Sequence, residues 1–158
     1  MIIELSPKKI IKGAYTVWNQ PGPEVDIVMD LKNLTFKEDS IDEIYSFHVL
    51  DHLFMNEIVP ALQNWRKCLK TGMKLFVIVD DFEYLARGFV GGDLNIDDLN
   101  TNFTHPTNID RENLVRYFNE AGFTEDKTHI WYSDIMNPQG EIILLKQHFE
   151  LIFDSIKT

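Results

Sequence analysis

The chain contains a single cysteine, Cys68. That excludes an internal disulfide and a cysteine zinc cluster, and the expectation is a reduced, cytoplasmic protein. Long apolar runs are also missing. The longest, such as LFVIV at 75–79, are strand-sized, far short of the roughly 20 residues of a membrane-spanning helix. The first residues, MIIELSPKK, hold no apolar signal core. Positive charge is scarce: 15 Lys and Arg against 25 Asp and Glu give a net −10. Such a surface repels phosphate backbones and anionic lipid, so no nucleic-acid or membrane partner is expected. The one basic concentration, Arg66, Lys67, Lys70 and Lys74, suits the end of a helix dipole. There is no repeat, no low-complexity stretch, no phosphate loop and no Ser-His-Asp pattern. What is present is apolar enough to fold: 44% hydrophobic and 12% aromatic residues over 158 positions exclude general disorder. One domain is expected, able to bury about 70% of its unfolded surface.

Seven short apolar runs predict strands at Ile2–Leu5, Tyr15–Trp18, Asp26–Val28, Glu43–Ser46, Lys74–Val79, Thr128–Tyr132 and Glu141–Lys146. The fifth is continuously apolar, as a central strand covered on both faces should be. Two segments have helical period. In Glu57–Lys70, Ile58, Leu62, Trp65 and Leu69 share a face with Ala61 and Cys68 beside them; Asn56 is the expected cap and Gly72 the stop. From about Asn108 or Asp110 to Ala121, Leu114, Phe118 and Ala121 form the stripe, with Gly122 as stop and Phe123 as latch. Alternation of strands and helices from Asp26 to Phe123 argues for parallel crossovers. The link DIMNPQG is too short for a crossover helix, so the last two strands should form an antiparallel hairpin. In the tail, Phe149, Ile152, Phe153 and Ile156 fall on one helical face, predicting an extra helix over about 147–157; Phe149, Leu151 and Phe153 also alternate as a strand would.

The residues then resemble a known family. VDIVMDLKNLTFKEDSIDEIYSFHVLDHL followed by NWRKCLKTGMKLFVIVDD is similar to the short, type 11-like class I S-adenosylmethionine-dependent methyltransferases. The ordered pieces are Asp30-Leu31, Leu34-Thr35-Phe36, Asp42-Glu43-Ile44, His48 through His52, and Leu69 through Met73, with NIDRENLVRYFNEAGF as the helix before the final hairpin. The resemblance spans roughly 2–146. It implies an α/β fold: a Rossmann-like, methyltransferase-type, mostly parallel sheet ending in a C-terminal antiparallel hairpin. It also implies S-adenosylmethionine as cofactor, held in the crevice at the carboxyl ends of the first strands. By position, Leu5, Ser6, Trp18, Asn19, Asp30, Leu31, Ser46 and His48 would line that crevice.

Two of the family's three anchor points are altered. Its glycine-rich turn is replaced by Leu5-Ser6-Pro7-Lys8, where side chains crowd the backbone and Pro7 lacks an N–H. Its ribose acid is replaced by Trp18, whose indole only donates, with neutral Asn19 one residue on. Losing two charged hydrogen bonds, at about 1.5–3 kcal/mol each, predicts weak cofactor binding or none. The links PKKIIKG and NQPGPE are too short for crossover helices, leaving a reduced helix set and one sheet face thinly covered. That face and the apolar tail point to a homodimer.

Asp80 and Asp81 close the central strand at its carboxyl end, where a carboxylate can act as a general base. His105 ends a long acidic loop, 91–106, that suits a lid hinged at Gly91-Gly92. No metal is expected. His48 and His52 would share a helical face with Asp51 turned away, the HExxH pattern is absent, and Asp93, Asn95 and Asp97 lack the glycine and glutamate of a calcium loop. Two functions compete: methyl transfer to a small-molecule or sugar-like acceptor, with Asp80, Asp81 or His105 removing a proton, and an inactive binding or assembly module on the same fold.

Overall fold

The computed structural model describes residues 1–95, 97, 105–124, 128–131, 135–136, 142–144 and 150–158. Strands β1 (Ile2–Leu5), β2 (Tyr15–Trp18), β3 (Ile27–Val28), β4 (Ile41–Phe47), β5 (Leu69–Asp80), β6 (Thr128–Trp131) and β9 (Glu150–Ile156) form one sheet in the order β3-β2-β1-β4-β5-β9-β6. Pairing is parallel from β3 through β5 and antiparallel where β9 meets β5 and β6. Among the described residues, strands β7 (Ile135–Met136) and β8 (Ile142–Leu144) pair only with each other. This is the expected mostly parallel α/β sheet with an antiparallel end.

Helix α1 (Met55–Cys68) buries Ile58, Ala61, Leu62, Trp65 and Cys68 against the sheet, as its periodicity predicts. It starts earlier than expected, because Phe54 rather than Asn56 precedes the first turn and its N–H donates to Glu57. Helix α3 (Arg111–Glu120) is capped by Asp110, whose carboxylate accepts from the N–H of Asn113 at 2.8 Å. Gly122 ends it at φ +92°, and Phe123 packs 5.1 Å from Phe118. Gly72 is also left-handed, at φ +81°, yet it stops no helix. It lies inside β5, where its N–H donates to Lys157. Helix α2 (Phe82–Gly91) has no counterpart in the apolar pattern, because only Leu85 on it is buried.

The tail is the main correction. It is not a helix: β9 lies between β5 and β6, and its two faces alternate as a strand's must. Leu151 and Phe153 join the large core with α1 and α3, while Ile152 joins Tyr45, Phe76 and Ile78 on the opposite face. The expected terminal hairpin is replaced accordingly. Thr128–Trp131 pairs with β9, and Ile142–Leu144 leaves the main sheet altogether. Ile152 and Phe153 of the tail's apolar stripe are therefore buried on their own sheet, and Phe149 lies outside the described residues. The thinly covered face carries the loop after β1, which lays Ile11 and Ala14 over Tyr45, Phe76 and Ile78. Residues 96 and 98–104, most of the expected lid, lie outside the described residues. Gly91 closes α2, and Gly92, left-handed, caps it. Among the described residues no helix is long and apolar enough to cross a membrane.

Candidate functional site

The crevice at the carboxyl ends of β1–β5 begins with the loop after β1, where the backbone donors are already spent. Ser6 N–H donates to Val17 and Pro7 has no N–H; Lys8 N–H donates to Ser6 Oγ at 3.1 Å, and Lys9 N–H to Glu24 at 3.0 Å. Ile10 and Ile11 donate to the carboxylate of Glu4, at 3.0 and 2.7 Å, and Thr16 Oγ1 adds a bond at 2.8 Å. Glu4 is fully buried, so these bonds are what make an acid tolerable inside β1. Ser6 Oγ also donates back to the Lys8 carbonyl at 2.7 Å, closing a small turn on itself. Leu5 is buried in the core, and so are Ser6 and, in β4, Ser46. None of these three lines the cleft described next.

Beside that loop, a cleft of about 420 Å³ opens between the ends of β2, β3 and β4. Trp18, Leu31, Val49 and Leu53 supply apolar walls; Asn19, Asp30 and His52 supply polar edges. Asp30 Oδ1 accepts the N–H of Lys32 at 3.0 Å, fixing the carboxylate after β3. Leu31 is held from behind, where Trp65 Nε1 donates to its carbonyl at 2.7 Å. Lys32 and Glu57 close one end with an ion pair at 3.0 Å. Trp18, Asn19, Asp30 and Leu31 thus all line one cleft.

A second cluster lies at the ends of β4 and β5. His48 adopts a left-handed φ of +49°, and residues Leu50–His52 make a tight 3-10 turn. The segment is not a continuous helix, so Asp51 faces His48 instead of turning away. His48 Nδ1 lies 3.3 Å from Asp51 and 3.5 Å from Asp80; its Nε2 lies 3.0 Å from Glu150 of β9. His48 therefore belongs to this cluster, not to the cleft. His105 Nε2 donates to Asp80 at 3.0 Å and sits edge-on to His52, ring centres 4.4 Å apart. Asp80 and His105 thus meet, as a proton-transfer pair would require. Asp81 does not join them: it caps α2, accepting from Glu83 and Tyr84 N–H.

Burial pulls the His48 pKa down, but hydrogen bonds to Asp51 and Glu150 and the charge of Asp80 outweigh it and push it up to about 10. Burial raises Asp51 too, and the histidines, His48 foremost, bring it below the usual carboxylate range. Asp80 is raised, first by burial and then by Asp51, with the histidines opposing. A cationic imidazole between an ionised acid and one that holds its proton more tightly is an arrangement for moving a proton. Two members escaped sequence reasoning. Asp51 was misplaced by assuming a helix, and Glu150 arrives from a strand 102 positions away, with no local signal.

The chain matches the methyltransferase domain family over residues 3–77, just under half its length. No curated protein sequence is significantly similar to it. Solved structures of S-adenosylmethionine-dependent methyltransferases share its fold. One from Thermotoga maritima superposes with a TM-score of 0.62 at 16% identity, over 90% of this chain and 72% of that one. One from Archaeoglobus fulgidus gives 0.61 at 12%, over 91% and 76%. One from Methanosarcina mazei gives 0.58 at 12%, over 98% and 91%.

Proposed function

We propose that the chain is a member of the class I S-adenosylmethionine-dependent methyltransferase family, and a binding module that keeps the nucleoside half of that family's cofactor site and has closed the amino-acid half. The observation that carries this is the loop after β1, in which every N–H from Ser6 to Ile11 has an internal acceptor. To receive a ligand carboxylate there, one of those bonds must break. At Ile10 or Ile11 that strips a donor from buried Glu4, at about 1–3 kcal/mol, which offsets what the new bond returns. The cleft, in contrast, suits a flat base with an exocyclic amine: Trp18 and Leu31 provide the surface, and Asp30 an acceptor. Ribose would find Asn19 but no acid. S-adenosylmethionine brings an activated methyl group wherever it binds; the residues here fit its adenosine end and not its methionine end.

This reading is tested by following backbone amide shifts while adenosine is added to millimolar concentration. Amides of Asn19, Leu31, Lys32 and Leu53 should move, and those of Lys8 to Ile11 should not. An unmoved cleft would overturn it. The competing reading is methyl transfer to a small-molecule or sugar-like acceptor, and the pairing of Asp80 with His105 at the crevice favours it. Under that reading Asp80 would take a proton from an acceptor hydroxyl.

A further inference from the structure

We infer that Asp51, His52 and His105 form a binding site for one divalent transition-metal ion, held in place by Asp80 and His48. One ligating atom from each of the three lies within 4.8 Å of the other two. A tetrahedral site with bonds of about 2.0–2.1 Å needs its ligands roughly 3.3 Å apart, so small side-chain rotations complete it.

Two further observations point to an occupant. Asp51 is 1% exposed, and its Oδ1 has no hydrogen-bond partner among the described residues; nor does the buried Nδ1 of His105. Buried polar atoms without partners are rare unless something fills the gap. The other atom of each group is tied down. Asp51 Oδ2 faces His48 Nδ1 at 3.3 Å and lies 3.9 Å from His105 Nε2, which itself donates to Asp80 Oδ2 at 3.0 Å. A histidine that gives one ring nitrogen to a carboxylate and leaves the other bare is the usual support of a metal ligand. A cavity of about 10 Å³ lies against Asp51, Asp80 and His105, lined also by Phe82, Leu85 and Ile109, and His52 stands outside its lining, on the side of the larger cleft. That is room for one water or one ion and nothing larger.

The segment carrying His105 is fastened to the turn carrying Asp51 and His52: Thr107 N–H donates to the Asp51 carbonyl at 3.3 Å and Thr107 Oγ1 to that of Leu53 at 2.6 Å. The backbone carrying the donors is therefore set before any ion arrives. Two imidazoles and one carboxylate select zinc or a neighbouring transition ion over magnesium or calcium, which take oxygen ligands. His52 is exposed and also lines the cleft, so the ion has an entry path and borders the proposed nucleoside site without depending on it.

The test titrates zinc chloride into the chelator-treated full chain by calorimetry. The expected result is one equivalent bound with a Kd below about 10 μM. His52→Ala and His105→Ala should each weaken it at least about tenfold, and Asp80→Asn, which leaves all three ligands, by about tenfold. His129→Ala, at an exposed histidine paired with Asp154 elsewhere on the sheet, should leave it unchanged. Weaker binding by the full chain, or binding indifferent to His52 and His105, would overturn the site. Should the variants fail to fold, histidine ring signals of the unaltered chain decide. His52 and His105 shifting with one equivalent of zinc supports the site; His129 shifting instead rejects it.

Discussion

His48 shows how single residues set the pH behaviour of this molecule. Its folded pKa of about 10 lies above the roughly 6.5 of an unfolded histidine, so its stabilising effect is complete below about pH 6.5 and disappears as pH rises toward 10. Asp51 works from the other side: lowered when folded, it stabilises above about pH 4 and loses that on acidification. The urea midpoint of the wild type should therefore fall from pH 6.5 to 10 by the equivalent of about 1–3 kcal/mol, discounted because the side chain is nearly a third exposed. His48→Gln should flatten that limb; an equally steep limb would place the titrating group elsewhere. Glu4→Gln removes a charge-assisted acceptor from the Ile10 and Ile11 amides and should cost about 2–4 kcal/mol in denaturant unfolding. A neutral effect would mean the loop after β1 is held by something else. Asp30→Ala, at an exposed position, should leave stability alone and weaken adenosine at least about fivefold, by loss of one hydrogen bond. Unchanged affinity would show the base bound away from Asp30.

At the scale of elements, what the sequence made legible were the pieces whose burial is periodic. The run Leu75–Val79 is buried throughout, and the stripes of α1 and α3 bury the residues their spacing picks out. Two of the elements that were missed escaped for opposite reasons. Helix α2 buries only Leu85, so no stripe marks it. Strand β9 is apolar on both faces, and ELIFDSI fits either period; only its partners Lys74 to Asp80, some 70–80 positions earlier, decide for a strand. The site divides the same way. Trp18, Asn19, Asp30 and Leu31 follow strands found by pattern, whereas Asp51 depended on a local turn and Glu150 on the misread tail. Because β9 is interior, a chain ending at Lys146 should lack the native sheet. Circular dichroism of that truncation should show no cooperative unfolding, and a stable truncated fold would refute the assignment of β9. Lys157, bonded to Asp39 and the Leu69 carbonyl, would be lost with it.

For the molecule as a whole, a methyltransferase-type sheet is retained while the covering of one face and the first ligand loop are rebuilt from short links. The homodimer expected from the sequence now rests on the outer edge of β6 and is a proposal. Light scattering should then report twice 18.5 kDa, and a monodisperse monomer would dispose of it. One loop, closed by its own hydrogen bonds, separates the ligand proposed for this chain from the cofactor of the methyltransferases it resembles. The most direct test of that separation is a side-by-side calorimetric titration with adenosine and S-adenosylhomocysteine, which share a nucleoside and differ by the amino-acid chain. The two should bind within about threefold of each other, neither tighter than about 100 μM, because the chain finds no free donor. Low-micromolar S-adenosylhomocysteine, tighter than adenosine by about thirtyfold or more, would contradict the closed loop and restore an intact cofactor site.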